Sequence, residues 1–111
     1  MVFYVAESEG KLIGFIAAFG SDLLRNRHSA TIVLGVHEAY RGQGVASRLF
    51  AEVFIWAKGV GITRLGLTVI KDNTKAFNLY RKMGFVLEGE KVHSLMINGE
   101  LVNEYYLYKL L

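Results

Sequence analysis

Cysteine and proline are both absent from this chain of 111 residues. Without cysteine there is no disulfide, no thiolate metal site and no thiol nucleophile. Without proline, sharp turns fall to the 12 glycines, so each glycine cluster marks an element boundary. No apolar run reaches the roughly 18 to 20 residues that a membrane span needs. The first residues, Met1-Val2-Phe3-Tyr4-Val5, lack the basic region and cleavage site of a secretory leader. The expectation is a soluble, cytoplasmic protein without membrane partners. Charge of one sign is not massed either. Formal net charge is +3, and the basic residues are scattered. No stripe suited to nucleic acid is visible, and a small polyanionic ligand accounts for the charge equally well.

What is present describes a globular chain. Hydrophobic residues make up 52% and charged residues 21%, at a length that suggests one domain over residues 1–111. Val2 to Ser8 is rich in valine and aromatics and reads as a strand. Glu9-Gly10 turns it into a second strand, Lys11 to Phe19. Gly20 to His28 is a polar loop, and Ala30 to Val36 is a β-branched run that reads as a buried strand. His37 to Gln43 is a loop. From Gly44 to Lys58, Val45, Leu49, Val53 and Trp56 recur at helical spacing, with Ala46, Phe50, Phe54 and Ala57 beside them. Gly59 and Gly61 stop that helix. Arg64 to Ile70 is a strand, and Asn73 to Met83 is a helix ended by Gly84. Phe85 to Ile97 and Leu101 to Leu111 form a hairpin around Asn98-Gly99, a strong turn signal. The expected fold is an α/β (α+β) mixed sheet, mostly antiparallel, of about six strands with two helices.

One loop carries chemistry. Arg41-Gly42-Gln43-Gly44-Val45-Ala46 joins a buried strand to a long helix. Glycines there let backbone amides converge, and the helix N-terminus adds partial positive charge, which together suit a phosphate. An ordinary strand-to-helix turn is the plainer alternative. A P-loop does not fit, because Gly44 is followed by Val45-Ala46-Ser47 and not by Lys-Ser/Thr. A dinucleotide fingerprint does not fit, because two glycines stand where three are needed.

The segment resembles the signature of the GNAT superfamily of acyl-CoA N-acyltransferases, Gln/Arg-x-x-Gly-x-Gly/Ala, through Arg41, Gly44 and Ala46. A second stretch is similar to the same family. Asn73, Ala76, Leu79, Tyr80, Gly84 and Phe85 match Asn-x-x-Ala-x-x-Leu-Tyr-x-x-x-Gly-Phe. The resemblance runs over essentially the whole chain. It implies that amides of Arg41 to Ala46 hold the pyrophosphate of acetyl-CoA, the co-substrate, and that no metal takes part. It implies that backbone groups of Gly35, Val36 and His37 pair with the pantetheine arm, and that Asn73 bonds the ligand as well as capping its helix. Tyr80 then protonates the departing thiolate. A phenol with a reference pKa near 10 keeps its proton at neutral pH.

The resemblance also implies an acceptor, a primary amine on a small molecule or a protein N-terminus. Family members usually begin with a strand and two helices that line the acceptor pocket, whereas this sequence starts at the first hairpin. A partner or second copy is then expected to complete the wall, or the chain binds acyl-CoA without catalysis. No base stands out. The position five residues before Asn73, where some relatives carry Glu, is Thr68. His37 and Glu38 are nearby candidates, each also readable as a solvated loop residue. Arg41, Arg48, Lys75 and Lys82 are candidates for CoA phosphates or for plain surface charge. His28 and His93 lack metal-ligand spacing. The aromatic end, Glu104 to Tyr108, reads as an amphipathic strand, or as an acceptor wall or homodimer surface.

Overall fold

The computed structural model describes residues 1–111. The chain divides into two compact units, Met1–Leu65 with Leu111, and Gly66–Leu110. In the first unit, β1 (Val2–Ser8) and β2 (Lys11–Gly20) pair antiparallel around Glu9 and Gly10. Both turn residues have positive φ, 51° and 78°. That is the twist a two-residue hairpin needs, although Glu is a poor residue for it. β2 then pairs antiparallel with β3 (Ser29–Val36). α1 (Val45–Gly59) packs on β1, β2 and β3.

The buried stripe of α1 is Leu49, Phe50, Val53 and Ala57. It is narrower than the spacing suggested, because Val45, Ala46, Phe54 and Trp56 are only half-buried. Phe50 and Val53 are fully buried, and each contributes about 1.5–3 kcal/mol relative to exposure. The helix ends in a Schellman motif. Ile62 N–H donates to Ala57 O (2.8 Å) and Gly61 N–H to Lys58 O (3.4 Å). Gly61 takes the left-handed conformation at φ 81° that this ending requires. Gly59 is still helical, so Gly61 is the true stop.

The second unit holds most of β4 (Arg64–Ile70), α2 (Thr74–Lys82), β5 (Val86–Ile97) and β6 (Glu100–Leu110). β5 and β6 pair antiparallel around Asn98 (φ 50°) and Gly99 (φ 80°), the turn expected of Asn-Gly. The strands share one six-stranded sheet in the order β1-β2-β3-β4-β6-β5. The mixed sheet with two helices thus takes the form the pattern implied.

Two features lay outside that pattern. A 3-10 turn, Glu38–Tyr40, occupies the loop after β3. β5 also breaks register between Leu87 and Gly89 and between Lys91 and Leu95. At the second break His93 has φ 53°, and its N–H donates to Asn103 Oδ1 at 2.8 Å. No helix is long and apolar enough to cross a membrane.

Candidate functional site

The glycine loop is built on the end of β3. Gly35 pairs with Phe15 and Val36 with Gly14 on β2. A Cβ on Gly35 would run into the Phe15 ring, which stacks on Phe3 at 5.6 Å. Glycine is therefore required at this position by packing, whatever else it does.

Beyond Val36 the chain turns through a chain of local bonds. His37 N–H donates to Ile13 O at 2.7 Å, and His37 O accepts from Tyr40 N–H at 2.9 Å. His37 caps the 3-10 turn, its Nδ1 accepting from Ala39 N–H at 3.1 Å. Arg41 Nε donates to Val36 O, and Gln43 Nε2 to Ala39 O, each at 3.3 Å. The side chains of Arg41 and Gln43 thus brace the loop from behind.

Gly42 and Gly44 both have φ 79°, and a Cβ at either would stand in open space. Positive φ, not crowding, is the reason for glycine here. Gly44 is the N-cap of α1 and has no side chain to satisfy the first helical amides. No acidic residue stands in the first turn. The amides of the first turn have no carbonyl within the helix to pair with, and the helix dipole adds partial positive charge. The start of α1 thus has the unpaired amides and partial positive charge that would suit an anion, beside Gly42, Gln43, Gly44, Val45 and Ala46.

The second unit holds the other candidates. Asn73 is the N-cap of α2, its Oδ1 accepting from Ala76 N–H at 3.2 Å. That bond uses the oxygen and leaves Nδ2 for a ligand. Tyr80 is 9% exposed. Burial pushes its phenol above the usual tyrosine value, so it holds its proton firmly at neutral pH.

The helix stop explains the residues after Tyr80. Phe85 N–H donates to Tyr80 O at 3.0 Å and Gly84 N–H to Arg81 O at 3.1 Å, with Gly84 at φ 97°. This is a second Schellman ending. The rings of Tyr80 and Phe85 meet edge to face at 6.3 Å, the apolar contact that accompanies such an ending. The spacing Tyr-x-x-x-Gly-Phe is therefore a helix stop as well as a frame for the phenol.

A polar brace escaped the sequence reading. Glu90 accepts from Asn103 Nδ2 and pairs with Lys71 at 3.2 Å. Asn103 foremost, then Lys71, hold the Glu90 carboxyl below its usual value, and the hydrogen bond to Glu90 raises Lys71. Nothing in the spacing of these three residues could have joined them, since the bulge at Lys91 to Leu95 sets their register. Thr68 is an exposed residue of β4, and Glu38 lies exposed in the 3-10 turn. Arg48, Lys75, Lys82, His28 and His93 are exposed. No group of three His, Cys, Asp or Glu side chains is placed to hold a metal ion.

The model of the acetyltransferase (GNAT) family matches residues 1–85. The chain is 32% identical over 104 residues to the L-amino acid N-acetyltransferase AaaT of Escherichia coli (strain K12), covering 93% of this chain and 64% of that protein. It is 32% identical over 101 residues to the spermidine N(1)-acetyltransferase of the same organism, covering 90% and 53%. Its fold superposes on an acetyltransferase of the GNAT family from Streptococcus pneumoniae with a TM-score of 0.93 at 32% identity, covering 98% and 66%. The chain thus spans less than two thirds of the length of these two curated relatives.

Proposed function

The chain belongs to the GNAT acetyltransferase family, and from that premise we infer that it binds acetyl-CoA and transfers the acetyl group to a primary amine. The observation that carries this reading is the uncapped start of α1. A helix N-terminus with two positive-φ glycines, open space before it and no acidic residue suits a pyrophosphate.

Bound acetyl-CoA supplies an acetyl group already activated as a thioester. In this reading the amides from Gly42 to Ala46 hold its pyrophosphate, while the Arg41 amide, expected to join them, is taken up by the Glu38 carbonyl. Backbone groups of Gly35, Val36 and His37 line the pantetheine arm, and Asn73 Nδ2 adds a donor. Tyr80, protonated at neutral pH, gives its proton to the departing thiolate. No carboxylate is assigned as base. The amine arrives neutral or loses its proton to water, and much of the rate comes from positioning two reactants. Residues 1–111 act as one acetyltransferase domain, a reading supported by the family match, which spans the first unit and continues into the second as far as residue 85.

The acceptor is a small amine or a protein N-terminus. Two relatives are named for an L-amino acid and for spermidine, which supports a small amine. A homodimer is also proposed, supported by the exposed Val92, Met96 and Leu101 on the β5–β6 hairpin. Thermal shift with acetyl-CoA, CoA and ATP tests the ligand. Acetyl-CoA and CoA are expected to raise the melting temperature and ATP to leave it unchanged. An equal shift by ATP would reduce the loop to a general phosphate cradle.

A further inference from the structure

We propose that His37 is a positioning residue for the glycine loop and that its protonation weakens acetyl-CoA binding, an inference that rests on the loop being the CoA site. His37 stands where β3 ends and the 3-10 turn begins. Its Nδ1 accepts the Ala39 N–H at 3.1 Å. That bond requires a lone pair on Nδ1, which imidazole offers only in the tautomer with its proton on Nε2. Adding a proton to Nδ1 turns the acceptor into a donor that faces a donor, and the cap is lost.

The consequence travels along bonds already described. The turn capped by His37 supplies the Glu38 carbonyl that accepts from Arg41 N–H, and the Ala39 carbonyl that accepts from Gln43 Nε2. Those two bonds hold the residues on either side of Gly42. Gly42 and Gly44 have no side chains of their own to fix their amides, and no side chain caps Gly44. The order of the anion site thus depends on the turn before it.

Histidine is an unusual choice for this position. Ser, Thr, Asp and Asn are the common caps. Imidazole differs from them in changing charge between about pH 5 and 8. The Tyr40 ring meets the imidazole edge-on at 5.9 Å, and the charged residues nearest in the same segment are Glu38 and Arg41, whose Nε is bonded to Val36 O. β2 meets the residue through the Ile13 carbonyl. A protonated ring would also attract an anion, which opposes the loss of the cap. That attraction acts at an exposed position and is screened by salt, whereas the cap is a local bond that salt leaves in place.

The test compares the native protein with His37→Asn, which keeps a capping oxygen that does not titrate, and with His37→Ala, which has none. Acetyl-CoA affinity is measured by calorimetry near pH 7.5 and pH 5.5 in about 0.5 M salt. The ligand's own phosphate titrates in this range, equally for all three proteins. On lowering the pH the native protein is expected to weaken about fivefold more than His37→Asn, the size of a lost cap. His37→Ala is expected to bind about fivefold more weakly than the native protein at pH 7.5, with no more pH dependence than His37→Asn. Parallel pH profiles for the native and Asn proteins would overturn the proposal, as would native-like binding by His37→Ala at pH 7.5. If no protein binds acetyl-CoA at either pH, the functional reading of the loop falls. The cap is then judged in the free protein by the Ala39 amide resonance. Movement with pH in the native protein alone supports the role of His37, and an unmoved resonance overturns it.

Discussion

Tyr80 is held by its surroundings in the state its proposed task needs. Burial raises the phenol, so the acid form persists at every pH below its ordinary value near 10. The sign follows directly. A group whose folded pKa is raised contributes stability that is complete below the unfolded value and is lost as pH rises through the folded one. Activity is therefore expected to persist through mildly alkaline pH and to fall only above about pH 10, where the native fold also weakens. Tyr80→Phe is expected to lower kcat by about 10²–10⁴-fold while KM for acetyl-CoA changes little. An unchanged kcat with intact folding would remove Tyr80 from the chemistry. The match to a family pattern, through Asn73 and Gly84, is what singled it out. Its edge-to-face contact with Phe85 was not legible, because it depends on how the chain turns at Gly84.

At the scale of elements, the turns explain most of the boundaries. α1 and α2 both stop at a left-handed glycine, Gly61 and Gly84, followed by a buried apolar residue, Ile62 and Phe85. Gly84→Ala is expected to destabilise the protein by more than about 1 kcal/mol in urea unfolding, since positive φ is strained for alanine. The Lys109 amine, which an added Cβ would meet, is the far end of a flexible side chain and can move aside, so the cost is that of the backbone. Asn73→Ala is expected to cost about 1 kcal/mol through loss of the α2 cap, and to weaken acetyl-CoA binding if Nδ2 touches the ligand. These boundaries were readable because glycine and asparagine act locally. The 3-10 turn at Glu38–Tyr40 was not, because its cap is a histidine and its three residues carry no periodicity. The bulge near His93 was equally hidden, since Asn103, which fills it, lies ten residues away.

At the scale of the molecule, the two units carry different parts of one proposed chemistry. Met1–Leu65 holds the anion loop, and Gly66–Leu110 holds Asn73 and Tyr80. If they act as one domain, heating gives a single cooperative transition that acetyl-CoA moves upward as a whole. Two transitions, one of them unmoved by ligand, would separate the units. Light scattering at micromolar concentration is expected to give the mass of two chains, and a clean monomer removes the dimer. The most direct measurement of the central claim is thiol release from acetyl-CoA over a panel of amino acids, polyamines and peptide N-termini. Amine-dependent release that is lost in Tyr80→Phe is the predicted result. Tight acetyl-CoA binding with no release on any amine would contradict it, leaving a binding protein in place of a transferase.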